Sequence, residues 1–243
     1  GHRFHHPAAI SLKHADEYLT ILKEIAYVIV DPNERREIIK QQTIIAAERL
    51  QGTAVIDEDL LDEVSALVEW PIAVAGEYDK QYLQVPAEAL ISSMQDHQKY
   101  FPVMDNNKKL MPYFITISNI DSADMSQVRA GNERVINPRL ADAVFFWDQD
   151  RKQKLSDRIE SLDTVIFQKK LGSLADKSKR VAIIAKAIAE KLAVNVEHAE
   201  RAALLSKCDL MTDMVFEFTD LQGIMGRYYA LHDGEHADVA AAL

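Results

Sequence analysis

The chain has 243 residues, 48% of them hydrophobic and 27% charged, with a formal net charge of −10 at pH 7. This balance suits a sizeable core in one large domain or two ordinary ones, and no apolar run approaches the ~20 residues of a membrane span. A single cysteine, Cys208, excludes an internal disulfide or a multi-cysteine zinc site and fits a reducing compartment, while the acid excess argues against a nucleic-acid binder over its whole surface.

The chain begins at Gly1 and stops in a helix-like "VAAAL", so it reads as a piece cut from a longer protein. The first well-punctuated element is "VDPNERREIIKQQTIIAAERLQG": Asp31 as N-cap, Pro32 at the first helical position, Glu34 completing a capping box, and Gly52 as the stop. A second helix is expected from about Asp57 to Trp70. The pattern then changes to period two, with "PIAVAGEY" and "QYLQVP" read as strands. A helix over Pro86 to Gln98 follows, then a strand in "KYFPVMD", a turn at Asn106-Asn107, and the partner strand "LMPYFITIS". From about Asn132 every strong signal is helical. A kink or break is expected near Pro138, and helices at about 174–192, 196–206 and 209–232. The fold class is therefore α+β: an α+β domain with an antiparallel sheet over 1–125, a helical bridge over 126–172, and an all-helical domain over 173–243.

Charge is unevenly spread. Residues 151–180 hold nine basic side chains and four acidic ones, a local excess of five positive charges on an acidic body. Such asymmetry allows a phosphate-binding face, the alternative being a solvated helix surface of mixed charge. "DHQKYFPV" places His97 at a helix-to-strand junction, where an imidazole can act as a general base or simply bridge the junction by hydrogen bonds. No nucleophile stands at a recognisable spacing from it, which favours the bridging role. In "GNERV" and "RLADAVFFWDQDRK", Arg134, Arg139, Asp142, Asp148 and Asp150 alternate with Phe145, Phe146 and Trp147. Carboxylates spread along one helix among arginines suit structural ion pairs better than a converging metal site, and the aromatics read as core. Phosphate-loop, dinucleotide, nucleophile-elbow and zinc-protease motifs are all missing, and Gly223 and Gly226 suit close helix packing.

Several long stretches resemble the β chain of the bacterial α2β2 glycyl-tRNA synthetases. They include "GHRF", "LLDEVSALVEWP", "VPAEAL", "HQKYFPV", "GNERV", "PRLADAVFFWDQDRK", "FQKKLGSLADK" and "LLSKCDLMTDMVFEFTDLQGIMGRYYALHDGE". The resemblance implies an internal part of that β chain, cytoplasmic and without a catalytic residue of its own. Its implied partners are the α subunit, tRNA(Gly) and a second β subunit, with ATP and Mg used by the whole enzyme through α and no cofactor held in this piece. It further implies an HD-like helical domain whose metal ligands are degenerate. Aligning "LLSK" with Leu-Leu-His-Asp puts Ser206 and Lys207 at ligand positions, and Lys177 stands where an upstream His is expected. A hydroxyl and two ammonium groups cannot hold a divalent cation, so no metal is expected there. The same cations, with Lys169, Lys170, Lys179 and Arg180, could instead meet RNA phosphates, or Lys207 could pair with Asp209 or Asp213.

Overall fold

A computed structural model describes all 243 residues, which divide into two compact units, Gly1–Ala141 and Asp142–Leu243. In the first unit α1 (Tyr18–Glu24) precedes α2 (Pro32–Arg49), whose N-terminus is capped by Asp31 accepting from Asn33 N at 2.8 Å. The capping box expected with Glu34 does not form, because that carboxylate instead pairs with Lys23 at 2.5 Å. β1 (Thr53–Ala54) leads to α3 (Glu58–Leu67), whose N-cap Asp57 accepts from Leu60 N at 2.9 Å. β2 (Ile72–Glu77), α4 (Ala87–Ser92), β3 (Phe101–Met104) and β4 (Leu110–Ser118) complete the mixed region.

The four strands form an antiparallel sheet in the order β1-β3-β4-β2. Ile39 and Ala47 of α2 and Leu60, Leu61 and Val64 of α3 share a buried cluster with Phe101, Val103 and Ile115 from the sheet. Gly76 pairs with Phe114 across β2 and β4, and a Cβ on Gly76 would stand 2.4 Å from the Phe114 ring, so only glycine lets that ring lie flat on the neighbouring strand. Arg35 ties α2 to the loops around it, donating to the carbonyls of Ile29 at 2.7 Å, Val30 at 2.8 Å and Ser65 at 3.0 Å.

Three local expectations give way. "QYLQVP" is a 3-10 turn over Lys80–Gln84, because Asp79 accepts from Gln81 N at 2.9 Å and bends the chain away from the sheet edge. The helix expected to run to Gln98 is α only to Ser92 and continues as a π turn over Ser93–His97. α5 (Met125–Asp150) passes through Pro138 without the break that is one of the two outcomes expected there, while Asn132 and Asn137 donate side-chain amide bonds to the carbonyls of Val128 and Glu133, each at 2.8 Å.

The second unit begins inside α5. Two 3-10 turns, Leu155–Arg158 and Glu160–Thr164, precede a hairpin of β5 (Ile166–Gln168) and β6 (Gly172–Ser173). The stretch 126–172 is therefore not wholly helical: Gly172, at φ +85°, turns the chain so that two strands pair before the next helix starts. α6 (Leu174–Leu192) opens with a full capping box between Ser173 and Asp176 and ends on Ala193 at φ +52°. α7 (Val196–Leu205) is capped by Asn195 accepting from His198 N at 3.0 Å, and packs against α6. The helix expected over 209–232 is divided into a 3-10 turn (Cys208–Met211), α8 (Asp213–Glu217), another turn and α9 (Ile224–His232), followed by α10 (Ala237–Ala241). No strand interrupts residues 174–232, and no helix is long and apolar enough to cross a membrane.

The Arg35 bonds generate the first prediction. Arg35→Met keeps the aliphatic stem but strands three carbonyls, and should lower unfolding free energy by about 2–3 kcal/mol, one charged hydrogen bond's worth, read from urea denaturation. An unchanged midpoint would show that water replaces the guanidinium.

Candidate RNA-contacting face and its buried scaffold

The carboxylate of Asp150, 3% exposed at the C-terminal end of α5, organises the second unit. It accepts from Asp213 N and Met214 N at 2.9 Å each and from the Tyr229 hydroxyl at 2.8 Å. Arg158 lies 3.6 Å from it and donates to the carbonyls of Asp150 at 3.0 Å and Met211 at 2.7 Å. Burial, the nearby Asp150 charge and its hydrogen bond drive the Tyr229 hydroxyl far above its ordinary pKa, so it remains a proton donor to Asp150. Tyr229 also stacks on Trp147, with ring centroids 5.3 Å apart.

A second buried carboxylate, Asp209, holds the start of α9. Its Oδ2 accepts from Gly223 N at 2.5 Å and Gly226 N at 3.1 Å. Burial raises the Asp209 pKa, and these backbone bonds and Lys207 oppose the rise. Gly226 is needed for this approach, since a Cβ there would stand 3.1 Å from Asp209 Oδ2. The two glycines thus serve a carboxylate and a close helix approach together. Cys208 beside them is buried, and its thiol pKa is pushed up to about 12, chiefly by desolvation.

The residues expected to form ion pairs separate into two groups. Asp150 pairs with Arg158 inside the unit, and Asp148 pairs with Arg151 at 2.6 Å on the surface. Arg134, Arg139 and Asp142 are exposed and have no opposite charge within 4 Å, so ion pairing is corrected at those three positions. Their side chains stand on the outer face of α5, where water outcompetes a partner. Of the aromatics between them Trp147 is buried, but Phe145 is 56% exposed and is not core.

The basic stretch divides in the same way. Arg151 lies over the Trp147 ring at 4.7 Å and Arg158 is internal, so both serve structure. Lys169 and Lys170 stand exposed in the β5–β6 turn, and Lys179 and Arg180 stand exposed in the first two turns of α6. None of these four has a carboxylate within 4 Å, although Lys179 and Arg180 help depress the Asp176 pKa after the Ser173 hydrogen bonds. Exposed cations at a helix N-terminus add to the positive end of its dipole, an arrangement that attracts phosphate. Lys177 is half-buried, its ammonium 4.2 Å above the Phe167 ring. Ser206 is engaged by donating to the Ala203 carbonyl at 2.9 Å, and Lys207 is half-buried without an ion pair to Asp209 or Asp213. His97 is exposed at the end of its π turn. Sequence reasoning missed Asp150 as a hub, since a helix-terminal Asp looks the same whether it meets solvent or backbone amides 63 residues away.

The two kinds of charge in α5 make opposite predictions. Asp150→Asn places an amide against three donors and strips Arg158 of its partner, and should cost about 3–5 kcal/mol. Arg139→Ala, exposed and unpaired, should stay within about 0.5 kcal/mol of the parent in the same denaturation experiment. Equal effects would remove the distinction.

A family profile described as glycyl-tRNA synthetase beta subunit matches residues 1–243. The chain is 58% identical over 243 residues to the glycine–tRNA ligase beta subunit of Chromohalobacter salexigens, 57% over 244 residues to that of Marinobacter nauticus, and 54% over 243 residues to that of Psychromonas ingrahamii. Each alignment takes in all of this chain but 35% of the relative's length. With a match that runs from the first residue to the last, the chain belongs to the glycyl-tRNA synthetase β-subunit family.

Proposed function

We propose that the chain serves the β subunit of a cytoplasmic glycine–tRNA ligase as a non-catalytic module that contacts the tRNA(Gly) backbone and supports assembly with the catalytic α subunit. The glycylation chemistry, with ATP and Mg2+, belongs in this reading to α within an α2β2 enzyme. The observation that carries it is the family match over all 243 residues, combined with Lys169, Lys170, Lys179 and Arg180 standing exposed and unpaired on one hairpin turn and the helix that follows. Unpaired lysines on a surface of net charge −10 gain by releasing counterions from a polyanion, without reading base identity. Phosphohydrolase chemistry at Lys177, Ser206 and Lys207 is set aside on the donor set alone, two ammoniums and a hydroxyl.

A second reading, a module that only joins subunits, draws on a different observation. α6 exposes Val181, Ile184, Ile188 and Leu192 in one helical stripe, each between 40% and 66% accessible. A continuous apolar stripe of this kind marks a surface that another protein covers.

The two readings part in one experiment. Glutamate substitutions at Lys169, Lys170 and Lys179 in the assembled ligase should raise KM for tRNA, and reduce the salt slope of binding by ~0.7–0.9 for each phosphate that is no longer neutralised. Glycine activation should be preserved. If KM and the salt slope are unchanged, the basic face is merely solvated and the subunit-joining reading stands.

A further inference from the structure

Outside the basic face, one group of side chains has the composition and spacing of a metal site. His198 lies in the first turn of α7, while His236 caps α10 and Asp238 lies in its first turn. One ligand atom from each of the three lies within 4.8 Å of the other two. Two of the separations are shorter: Nδ1 of His198 and Nδ1 of His236 each stand 3.4 Å from Asp238 Oδ2. The edge of a tetrahedron built on zinc–ligand bonds of 2.0–2.1 Å is about 3.3–3.4 Å. The carboxylate oxygen is therefore already placed at tetrahedral distance from both imidazoles, and the third separation lies within 4.8 Å.

Three further features separate this group from a casual surface cluster. Nδ1 of His198 is buried and makes no hydrogen bond, although Asp238 Oδ2 stands 3.4 Å away. An orphaned imidazole nitrogen facing a carboxylate is a strong reason to expect a further ligand. The His236 ring lies 4.1 Å from the His198 ring, tilted by 30°, and its Nδ1 accepts the Asp238 N–H at 3.2 Å, a long N-cap bond that an ion bound at this nitrogen would have to displace. Finally, Arg201 of α7 grips Glu235 with a forked ion pair, Nε standing 3.1 Å from each carboxylate oxygen, which fixes the residue before His236 against the helix that carries His198. The junction that brings α10 to α7 is thus held by a bond that does not depend on the metal.

We propose that His198, His236 and Asp238 form a three-ligand site for a zinc-class divalent cation. Two imidazoles and one carboxylate suit a borderline-soft ion and leave the all-oxygen cations Ca2+ and Mg2+ poorly served. His198 and Asp238 line a cleft of about 240 Å³ together with Val194, Asn195, Ala199 and Ala242, wide enough for water to complete the shell. A bound ion would clamp α10 to α7 at the end of the helical unit. The site lies apart from Lys177, Ser206 and Lys207, so it does not revive the degenerate HD positions.

The test is a titration of the purified, untagged and chelator-treated protein with Zn2+, and with Co2+ as an optical probe. One saturable equivalent is expected, with the intense visible band of tetrahedral cobalt and a rise in Tm on adding Zn2+. His236→Gln and Asp238→Asn, both on exposed side chains, should each weaken capture by more than the roughly 10–100-fold that loss of an outer-sphere partner costs. His232→Gln, a histidine outside the group, should leave it intact, and Mg2+ should not compete. Should His198→Ala fail to fold, the two exposed variants decide the matter. Absence of a saturable equivalent, or capture undiminished in His236→Gln and Asp238→Asn, overturns the proposal.

Discussion

Asp150 is the point on which the helical unit turns. A carboxylate buried this completely is tolerated only when every oxygen is occupied, and here two backbone amides, a tyrosine hydroxyl and a guanidinium meet it. The amide and tyrosine bonds reach across 63 to 79 residues of sequence, fixing the start of α8 and the middle of α9 to the end of α5, and Arg158 adds its 3-10 turn from 8 residues away. Asp209 is a second buried carboxylate whose donors are the backbone amides that open α9, but both bonds fall on Oδ2 and Oδ1 has no partner. Two acidic side chains thus take the place of a long uninterrupted helix, which explains why the segment after Ser206 breaks into short pieces without losing its packing.

That scaffold decides which cations are available. Arg158 is consumed by Asp150 and Met211, Arg151 by Asp148 and Trp147, and Lys177 by the Phe167 ring. What remains is Lys152 and Lys154 after α5, Lys169 and Lys170 at the hairpin turn, and Lys179 and Arg180 in the N-terminal turns of α6, where the helix dipole adds to side-chain charge. The local excess of five charges counted over the sequence therefore overstates the usable patch. The same helix presents an apolar stripe, so a polyanion and a protein partner could be met by different faces of one element.

Much of the fold was legible because it rests on local chemistry. Asp31, Asp57 and Asn195 cap the helices they precede, and Asn106-Asn107 turns the strand in "KYFPVMD" into its expected partner "LMPYFITIS". Misreadings fell where a local signal was ambiguous. The alternation in "QYLQVP" is compatible with a strand, but a bond from Gln81 N to Asp79 turns it into a 3-10 turn. Arg139 and Asp142 stand three residues apart on α5, as Asp148 and Arg151 do, yet only the second pair closes, at 2.6 Å.

The amino-acid sequence by itself determined the family, the mixed region followed by a helical one, and a donor set at Lys177, Ser206 and Lys207 that is unsuited to a divalent cation. These depend on residue identity and short-range spacing, which are visible without coordinates. Tertiary structure alone decided which charges are spent and which are free, that Asp150 and Asp209 are internal anchors, and that His198 meets His236 and Asp238. Each of those facts is a distance between residues far apart in the chain, and hydrophobic packing sets such distances only once the helices have closed on one another.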